Sequence, residues 1–193
     1  MSKVAITGNA SGTGVFTVAS PNSNVDRVLT LPDETGTIDT LQRSGNVVQV
    51  VNFQTGAMAT GTTVIPFDDT IPQITEGNEY MTLAITPTNA SNILYIDVIT
   101  FAGASIAGEH TAALFKDTTA NALAAICQQM DTADRSQANA FTHKITAGTT
   151  SEITFRVRLG MQAAGTTTFN GLGATRRFGG VAASSITITE VTP

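Results

Sequence analysis

The stretch SEITFRVRL, residues 151–159, decides the class of fold that we expect for this chain. Every second residue in it is apolar, and these residues are Ile153, Phe155, Val157 and Leu159. The residues between them are Glu152, Thr154, Arg156 and Arg158. Because successive side chains of a β-strand point to opposite faces, this period of two predicts a strand with one face on a core and the other facing solvent or a partner.

The same period recurs along the chain from residue 47 onward. In EYMTLAI, residues 79–85, it places Met81, Leu83 and Ile85 on one face. Further predicted strands are VVQVVNF (47–53), TTVIPF (62–67), HTAALFKD (110–117), NALAAICQQM (121–130), QANAFTHKITA (137–147), TTTFNG (166–171) and SSITITEV (184–191). Their spacing of about eight to twelve residues, with turn-forming residues between them, predicts an all-β sandwich or barrel. Helix-favouring Ala and Leu occur in residues 119–135, but the all-β surroundings favour a strand there.

Residues 1–45 are organised differently from the rest of the chain. Their predicted strands, KVAIT, VFTVAS, RVLTL and GTID, are short and carry few large apolar side chains. Such a segment buries too little apolar surface to offset the entropy of ordering it. We therefore predict an N-terminal β arm over residues 1–45, which needs cover from sister chains or from a larger assembly, followed by a head domain over residues 46–193.

Composition excludes several classes of function. Charged residues make up 13% of the chain, and the formal net charge is −5. The ten Lys and Arg residues are scattered, which argues against a nucleic-acid-binding protein. No apolar run approaches the roughly 18 residues of a membrane span, and residues 1–12 lack the apolar core of a secretory signal. We expect no nucleic-acid partner, no membrane insertion, and synthesis in a host cytoplasm. Cys127 is predicted to be a small core residue without a disulfide partner.

Residues 8–38, GNASGTGVFTVASPNSNVDRVLTLPDETGTI, resemble a segment that recurs in virion structural proteins of tailed bacteriophages, especially tail-fibre and other surface-appendage proteins. The resemblance lies in Pro21-Asn22, in Leu29-Thr30-Leu31-Pro32-Asp33 and in Thr35-Gly36-Thr37. It implies an intertwined, trimeric β arm near the attachment end of an appendage.

The remainder of the chain is similar in layout to the tumour-necrosis-factor-like jelly rolls that form trimeric knobs on phage fibres. The closing stretch FNGLGATRRFGGVAASSITITEV, residues 169–191, resembles their final loop and last strand. The resemblance implies an antiparallel jelly-roll β-sandwich that forms a homotrimer. A capsid decoration protein could share both halves.

The segment NILYIDVITFA, residues 92–102, is apolar on both faces of its predicted strand. Leu94, Ile96 and Val98 share one face, and Ile93, Tyr95, Ile99 and Phe101 share the other. Such a strand needs a core on one side and a second cover on the other. In a jelly-roll trimer that cover is the neighbouring subunit, so Tyr95, Ile99 and Phe101 form the candidate subunit interface. The alternative is cover by this chain's own loops.

Two further positions suggest contacts outside the core. Arg176 and Arg177 are the only adjacent cations in the chain, and they lie in a glycine-rich loop. They form a candidate partner-binding loop for an acidic partner or a sugar, unless they are plain surface charge. Glu190 shares a face with Ile186 and Ile188. Either the strand has left the core at that point, or a bulge intervenes, or a ring of Glu faces the assembly axis; the first interpretation is favoured.

The residues typical of catalysis are sparse. His110 and His143 lie in separate predicted strands without metal-ligand spacing, and no GxSxG, HExxH or CxxC pattern occurs. The acidic pairs are Asp33-Glu34, Asp68-Asp69 and Glu76 with Glu79. We interpret them as solvated turn residues, with a glycosidase pair or a calcium site at Asp68-Asp69 as alternatives. We therefore predict no enzymatic activity, no catalytic residues, no cofactor and no metal.

Two functions fit this profile. In the first, the chain is a trimeric fibre or knob on the virion surface, attached through its arm to capsid or tail proteins, with head loops that bind a host-surface glycan or protein. In the second, it is a capsid decoration or cement protein that binds and stabilises the assembled head shell.

Overall fold

The computed structural model describes residues 44–193, together with residues 11–15, 17, 22, 24–26 and 28. The chain divides into two units, Met1–Ile38 and Asp39–Pro193, and all of the strands described lie in the second. Most of the predicted arm of residues 1–45 lies outside the described residues. Its boundary and its role therefore remain predictions.

Residues 44–193 form β-strands joined by turns and loops, with no α-helix in that range. The strands are β1 (Val47–Thr55), β2 (Ala59–Gly61), β3 (Asn78–Ile85), β4 (Ile93–Ala104), β5 (Gly108–Lys116), β6 (Ala124–Met130), β7 (Arg135–Thr146), β8 (Ile153–Met161), β9 (Thr167–Phe169), β10 (Gly171–Leu172), β11 (Thr175–Arg176) and β12 (Ser184–Val191). One 3₁₀ turn, Phe178–Gly180, precedes β12.

The strands form two antiparallel sheets. In the first sheet the order is β1, β12, β4, β7, and β7 pairs with β4 over the full length of β4. Beyond Ser184, the first residue of β12, the short strand β9 continues along the same edge of β4. β2 in turn pairs with β9. In the second sheet the order is β3, β8, β5, β6. β10 and β11 form a separate small hairpin.

The connectivity of the long strands is that of a jelly roll. Numbered one to eight in chain order, β1, β3, β4, β5, β6, β7, β8 and β12 give the strand orders 1-8-3-6 and 2-7-4-5 in the two sheets. Each connection passes to the other sheet except the hairpin from β5 to β6. Two four-stranded sheets linked in this way form the double Greek key of a jelly roll. The predicted all-β, antiparallel jelly-roll sandwich is confirmed, and its trimeric state remains a prediction.

The main core lies between the sheets and contains side chains from both. Its largest members, each at most 2% exposed, are Met81, Ile85, Leu94, Ile96, Val98, Leu114, Ile153, Phe155, Val157, Leu159, Phe169, Ile186 and Ile188. The alternating residues of β8 lie here as predicted, and so do Met81 and Ile85 of β3. Burial of these aliphatic and aromatic side chains holds the two sheets together.

A second, smaller core lies on the outer face of the second sheet. Residues 62–77, which we call the cover segment, cross this face between β2 and β3. Ile65 packs on Ala113 and Phe115 of β5, and all three residues are 0% exposed. The cover segment shields part of the face of β8 that the sequence pattern assigned to solvent or a partner. The Arg158 guanidinium donates hydrogen bonds to the Glu76 and Gly77 carbonyls, both at 2.9 Å.

The strand predicted at residues 62–67 is therefore wrong, because these residues have no ladder of strand pairing. Pro66 has no N–H to donate to a ladder. The Ile65 amide donates to the Met161 carbonyl at 3.0 Å, which ties the cover segment to the edge of β8. Gly160 permits this approach, since a Cβ there would lie 2.7 Å from the Thr63 carbonyl oxygen.

Glu190 also differs from the expectation that the last strand has left the core at that point. It is 0% exposed, and its carboxylate is held inside the subunit. It accepts hydrogen bonds from Gln49 Nε2 (2.5 Å), Asn92 Nδ2 (2.6 Å), Thr88 N (2.8 Å) and Thr88 Oγ1 (2.9 Å). Burial alone would raise the pKa of Glu190, but these four donors outweigh it and hold the pKa below its ordinary value. A β-bulge does occur, but in β1, between Val47 and Gln49.

Candidate interaction surfaces

The outward-facing residues of β1, β12, β4 and β7 form what we call the first-sheet outer face. Tyr95, Ile99 and Phe101 of β4 lie on it, opposite the core residues of the same strand, as the sequence pattern predicts. Ile99 is 49% exposed, whereas Tyr95 and Phe101 are half-buried. Among the described residues, no loop of the chain therefore covers Ile99. Whether these residues contact another subunit remains a prediction.

Small side chains lie beside two of these three residues. Ile99 lies between Ser185 of β12 and Ala140 of β7, and Phe101 lies opposite Ala138. The outward residues of β12, β4 and β7 include only two charged ones, Asp97 and Lys144.

Both charges have partners on the face itself. Asp97 accepts a hydrogen bond from Thr142 Oγ1, and the Lys144 ammonium lies 5.8 Å from the centre of the Tyr95 ring. Asp97, Ile99, Ala140 and Thr142 line a shallow depression between them. Few charges would need desolvation if a second flat surface packed here.

The second predicted site, Arg176 and Arg177, lies in a loop before β12. We call residues 175–181 the arginine loop. Arg176 is exposed and Arg177 is half-buried. Among the residues that the structure describes, neither guanidinium has a carboxylate within ion-pair distance.

The backbone of the arginine loop is left-handed at three consecutive residues. Phe178, Gly179 and Gly180 have φ values of 51°, 65° and 98°. A bulky residue such as Phe is rare in this region. Phe178 nevertheless has its side chain 76% exposed, and Val181 is 83% exposed. The carbonyl of Gly180 lies so close to Gly56 that a Cβ on Gly56 would meet it at 1.9 Å.

A third surface, which the sequence reasoning missed, lies between the cover segment and β6. Residues 66–72 and 122–127 line a groove there, which consists of two adjoining depressions of about 390 and 210 Å³. Phe67 and Ile71 are 59% and 54% exposed at its rim. Asp68 accepts two hydrogen bonds from Thr70, at 2.5 and 2.8 Å, and these lower its pKa. The sequence does carry a signal for this surface. Apolar residues stand beside Pro66 and Pro72, and proline disfavours a strand at these positions, so a segment lying outside the sheets could have been expected.

Cys127 lies on the wall of this groove, so its predicted place in the core is wrong. It is half-buried on the outward face of β6, opposite Thr111 of β5. Burial is the first cause that raises its pKa, and the neighbouring Glu109 carboxylate adds to the effect. A thiol with a raised pKa carries little thiolate and is a poor nucleophile.

The two histidines occupy separate strands, β5 and β7. His110 is 2% exposed, its Nε2 has no hydrogen-bond partner, and burial lowers its pKa to about 4. Among the described residues, no group of three or more His, Cys, Asp and Glu side chains is placed to hold a metal ion. In the same part of the chain, no helix has the length and apolarity to cross a membrane. The predicted absence of cofactor, metal and enzymatic activity stays a prediction.

Comparison with known proteins identifies no family. No family model matches the chain, and no curated protein matches it. A CBM4 structure is similar over 66% of this chain and 75% of its own, at 15% identity and a TM-score of 0.38. The enzymatically active domain of bacteriophage CBA120 tailspike protein 4 is similar over 66% of this chain, at 16% identity and a TM-score of 0.27. The VP2 subviral particle of infectious bursal disease virus is similar over 88%, at 12% identity and a TM-score of 0.32.

This chain spans 20% of the tailspike chain and 42% of the VP2 chain. Likeness at these TM-scores does not bear on function. The jelly-roll assignment rests on the strand pairing of this chain itself.

Proposed function

We propose that this chain is a non-enzymatic structural protein of a tailed-bacteriophage virion. It forms a homotrimeric surface fibre or knob. The arm of residues 1–45 attaches it to capsid or tail proteins, and the jelly-roll head presents its loops to the host surface. The proposal joins the resemblance of residues 8–38 to the geometry of the head.

The observation that carries this proposal is that the point where the chain enters the head and the arginine loop lie at opposite ends of the head. The chain enters the head beside its own C-terminus, where the Gly45 amide donates to the Thr192 carbonyl and the Thr192 amide donates to the Asn46 carbonyl, both at 3.0 Å. The arginine loop lies at the other end of β12, separated by two residues from Ser184. A strand of this length spans roughly 25 Å. A head joined to its attachment segment at one end can therefore expose a loop at the other.

The first-sheet outer face supports the trimeric state. Its exposed Ile99, its flanking Tyr95 and Phe101, and its low charge suit contact with a neighbouring subunit. A capsid decoration protein could use the same two ends of the head, with the trimer seated on a threefold position of the shell.

Three measurements test the proposal. Sedimentation velocity of the full chain should give a trimer, and a 20.0 kDa monomer at micromolar concentration would contradict it. The purified protein should adsorb to host cells. The number of copies per purified virion should be a few tens for a fibre, whereas hundreds of copies without adsorption would indicate a decoration protein.

A further inference from the structure

The arginine loop differs from the other arginine positions of the head. Arg156 and Arg158 form ion pairs with Glu79 at 3.1 and 3.3 Å, and Arg135 donates a hydrogen bond to Thr132. These side chains are engaged within the subunit. Arg176 and Arg177 have no such acidic partner among the described residues, and they are adjacent in a chain of net charge −5.

An aromatic ring lies directly beside these two cations. Phe178 is 76% exposed, although an apolar ring gains free energy when it leaves water. The loop backbone holds it there through hydrogen bonds from the Gly180 amide to the Arg177 carbonyl (3.0 Å) and from the Val181 amide to the Phe178 carbonyl (3.2 Å). The left-handed conformation of Phe178 is costly for such a residue, and strained residues of this kind concentrate at functional sites.

The combination of groups defines the chemistry of the ligand. Guanidinium groups bind carboxylates and phosphates through paired hydrogen bonds. An exposed aromatic ring packs on an apolar surface, which the C–H face of a sugar ring provides. A protein partner usually needs about 800 Å² on each side, more than one seven-residue loop tip offers. A polymer that repeats its anionic groups can engage three such loops in a trimer and gain by avidity.

We infer that the arginine loop is a binding site for an anionic polysaccharide. Arg176 and Arg177 bind its carboxylate or phosphate groups, and Phe178 packs on a sugar ring. This inference rests on the proposed host-facing function and names the class of ligand that the loop takes.

The test uses the full chain and four immobilised polymers. Polygalacturonate offers carboxylates on sugar rings, phosphomannan offers phosphates on sugar rings, polyglutamate offers carboxylates without rings, and dextran is a neutral polysaccharide. The protein should bind polygalacturonate or phosphomannan more tightly than polyglutamate, and should not bind dextran. Whichever of the first two binds more tightly identifies the anionic group. Equal binding to polyglutamate, or binding to none of the charged sugars, would overturn the inference.

Loop variants locate the site. Arg176→Ala combined with Arg177→Ala should weaken binding by about tenfold or more, because charge-assisted hydrogen bonds are lost. Lys116→Ala combined with Arg135→Ala removes the same charge elsewhere and should change binding by less than about threefold. Phe178→Gly suits the left-handed backbone, so it should leave the fold intact while weakening binding to the charged sugars. Sedimentation velocity must show the same oligomeric state for every variant compared.

The loop inference and the proposed function fail in different ways. If the Arg176→Ala, Arg177→Ala variant binds the polymers and host cells like the Lys116→Ala, Arg135→Ala control, the loop is not the site, while a host-binding function would stand. If the chain is monomeric and does not adsorb to cells, the proposed function is wrong, whatever the polymers show.

Discussion

The outer faces of the two sheets differ in how far the chain itself covers them. On the second sheet, Ala113 and Phe115 point away from the main core, yet the cover segment buries both completely. On the first sheet, Ile99 also points away from the core and stays 49% exposed. One apolar outer face is covered within the subunit, and the other has no equivalent cover among the described residues.

The difference separates residues that stabilise the subunit from residues available to a partner. Burial of Phe115 belongs to the free energy of folding of one chain, whereas burial of Ile99 would belong to association. Substitutions on the covered face should therefore unfold the head, and substitutions on the first-sheet outer face should leave it folded.

Phe115→Ala should lower the free energy of unfolding by about 3–5 kcal/mol, because it opens a cavity beneath the cover segment. Thermal or urea unfolding of the full chain measures this loss. Phe67→Ala is the matched control, since it removes the same ring from an exposed position of the cover segment and should cost about 1 kcal/mol or less. Equal losses for the two variants would mean that the cover segment does not form a second core.

Glu190→Gln should lower the free energy of unfolding by about 2–4 kcal/mol. The substitution replaces a carboxylate that accepts four hydrogen bonds with an amide whose NH₂ group must face the donors of Gln49, Asn92 or Thr88. Glu79→Gln is the control, because Glu79 lies in a partly exposed ion pair that contributes little. The substitution should lower the free energy of unfolding of the subunit without weakening association. Glu190 lies on the core side of the first sheet and not on its outer face.

Local patterns in the sequence predicted much of the fold. The bounds of β12, residues 184–191, match the predicted strand, and the two faces of β4 were assigned to the correct sides. This works because the period of side chains in a strand depends only on local geometry. The jelly-roll order came from the family resemblance, and the strand pairing confirmed it.

The errors share one physical cause, which is contact between residues far apart in the chain. Glu190 is buried because Gln49 and Asn92, 141 and 98 residues away, supply its hydrogen bonds. Residues 62–67 contain a short apolar run of the kind found in strands, but they lie across a sheet face that was not recognisable without the fold. Cys127 falls on the outward side of β6 because the pairing with β5 fixes its register. The same cause applies to the candidate sites. The exposure of Phe178 and the groove at Phe67 follow from how the loops fold, which the local sequence does not determine.

Acid should lower the free energy of unfolding of the subunit. Burial lowers the pKa of His110 to about 4 in the folded state, while an unfolded chain protonates near its ordinary value of 6.5. Stability is therefore full above about pH 6.5 and falls by up to about 3 kcal/mol as the pH drops towards 4, because only the unfolded chain takes up the proton. Glu190 adds to the loss at lower pH, since the stability from its lowered pKa is lost as the carboxylate protonates.

The measurement is the midpoint of urea unfolding between pH 7 and pH 4. His110→Gln should flatten the part of the curve above pH 5, and His143→Gln is the matched control for the substitution itself. A curve of His110→Gln that parallels the unmodified chain would show that His110 is not the group responsible.

Ile99→Asp should have the smallest effect on folding and the largest on association. The side chain is 49% exposed, so the free energy of unfolding of the separated subunit should change by about 1 kcal/mol or less. In the proposed trimer, each interface would bury an unpaired carboxylate, and association should be lost at micromolar concentration. Ala84→Asp places the same charge on the exposed outer side of β3 and should leave the trimer intact. If Ile99→Asp remains trimeric in sedimentation velocity while Ala84→Asp dissociates, the roles of the two outer faces are the reverse of those proposed.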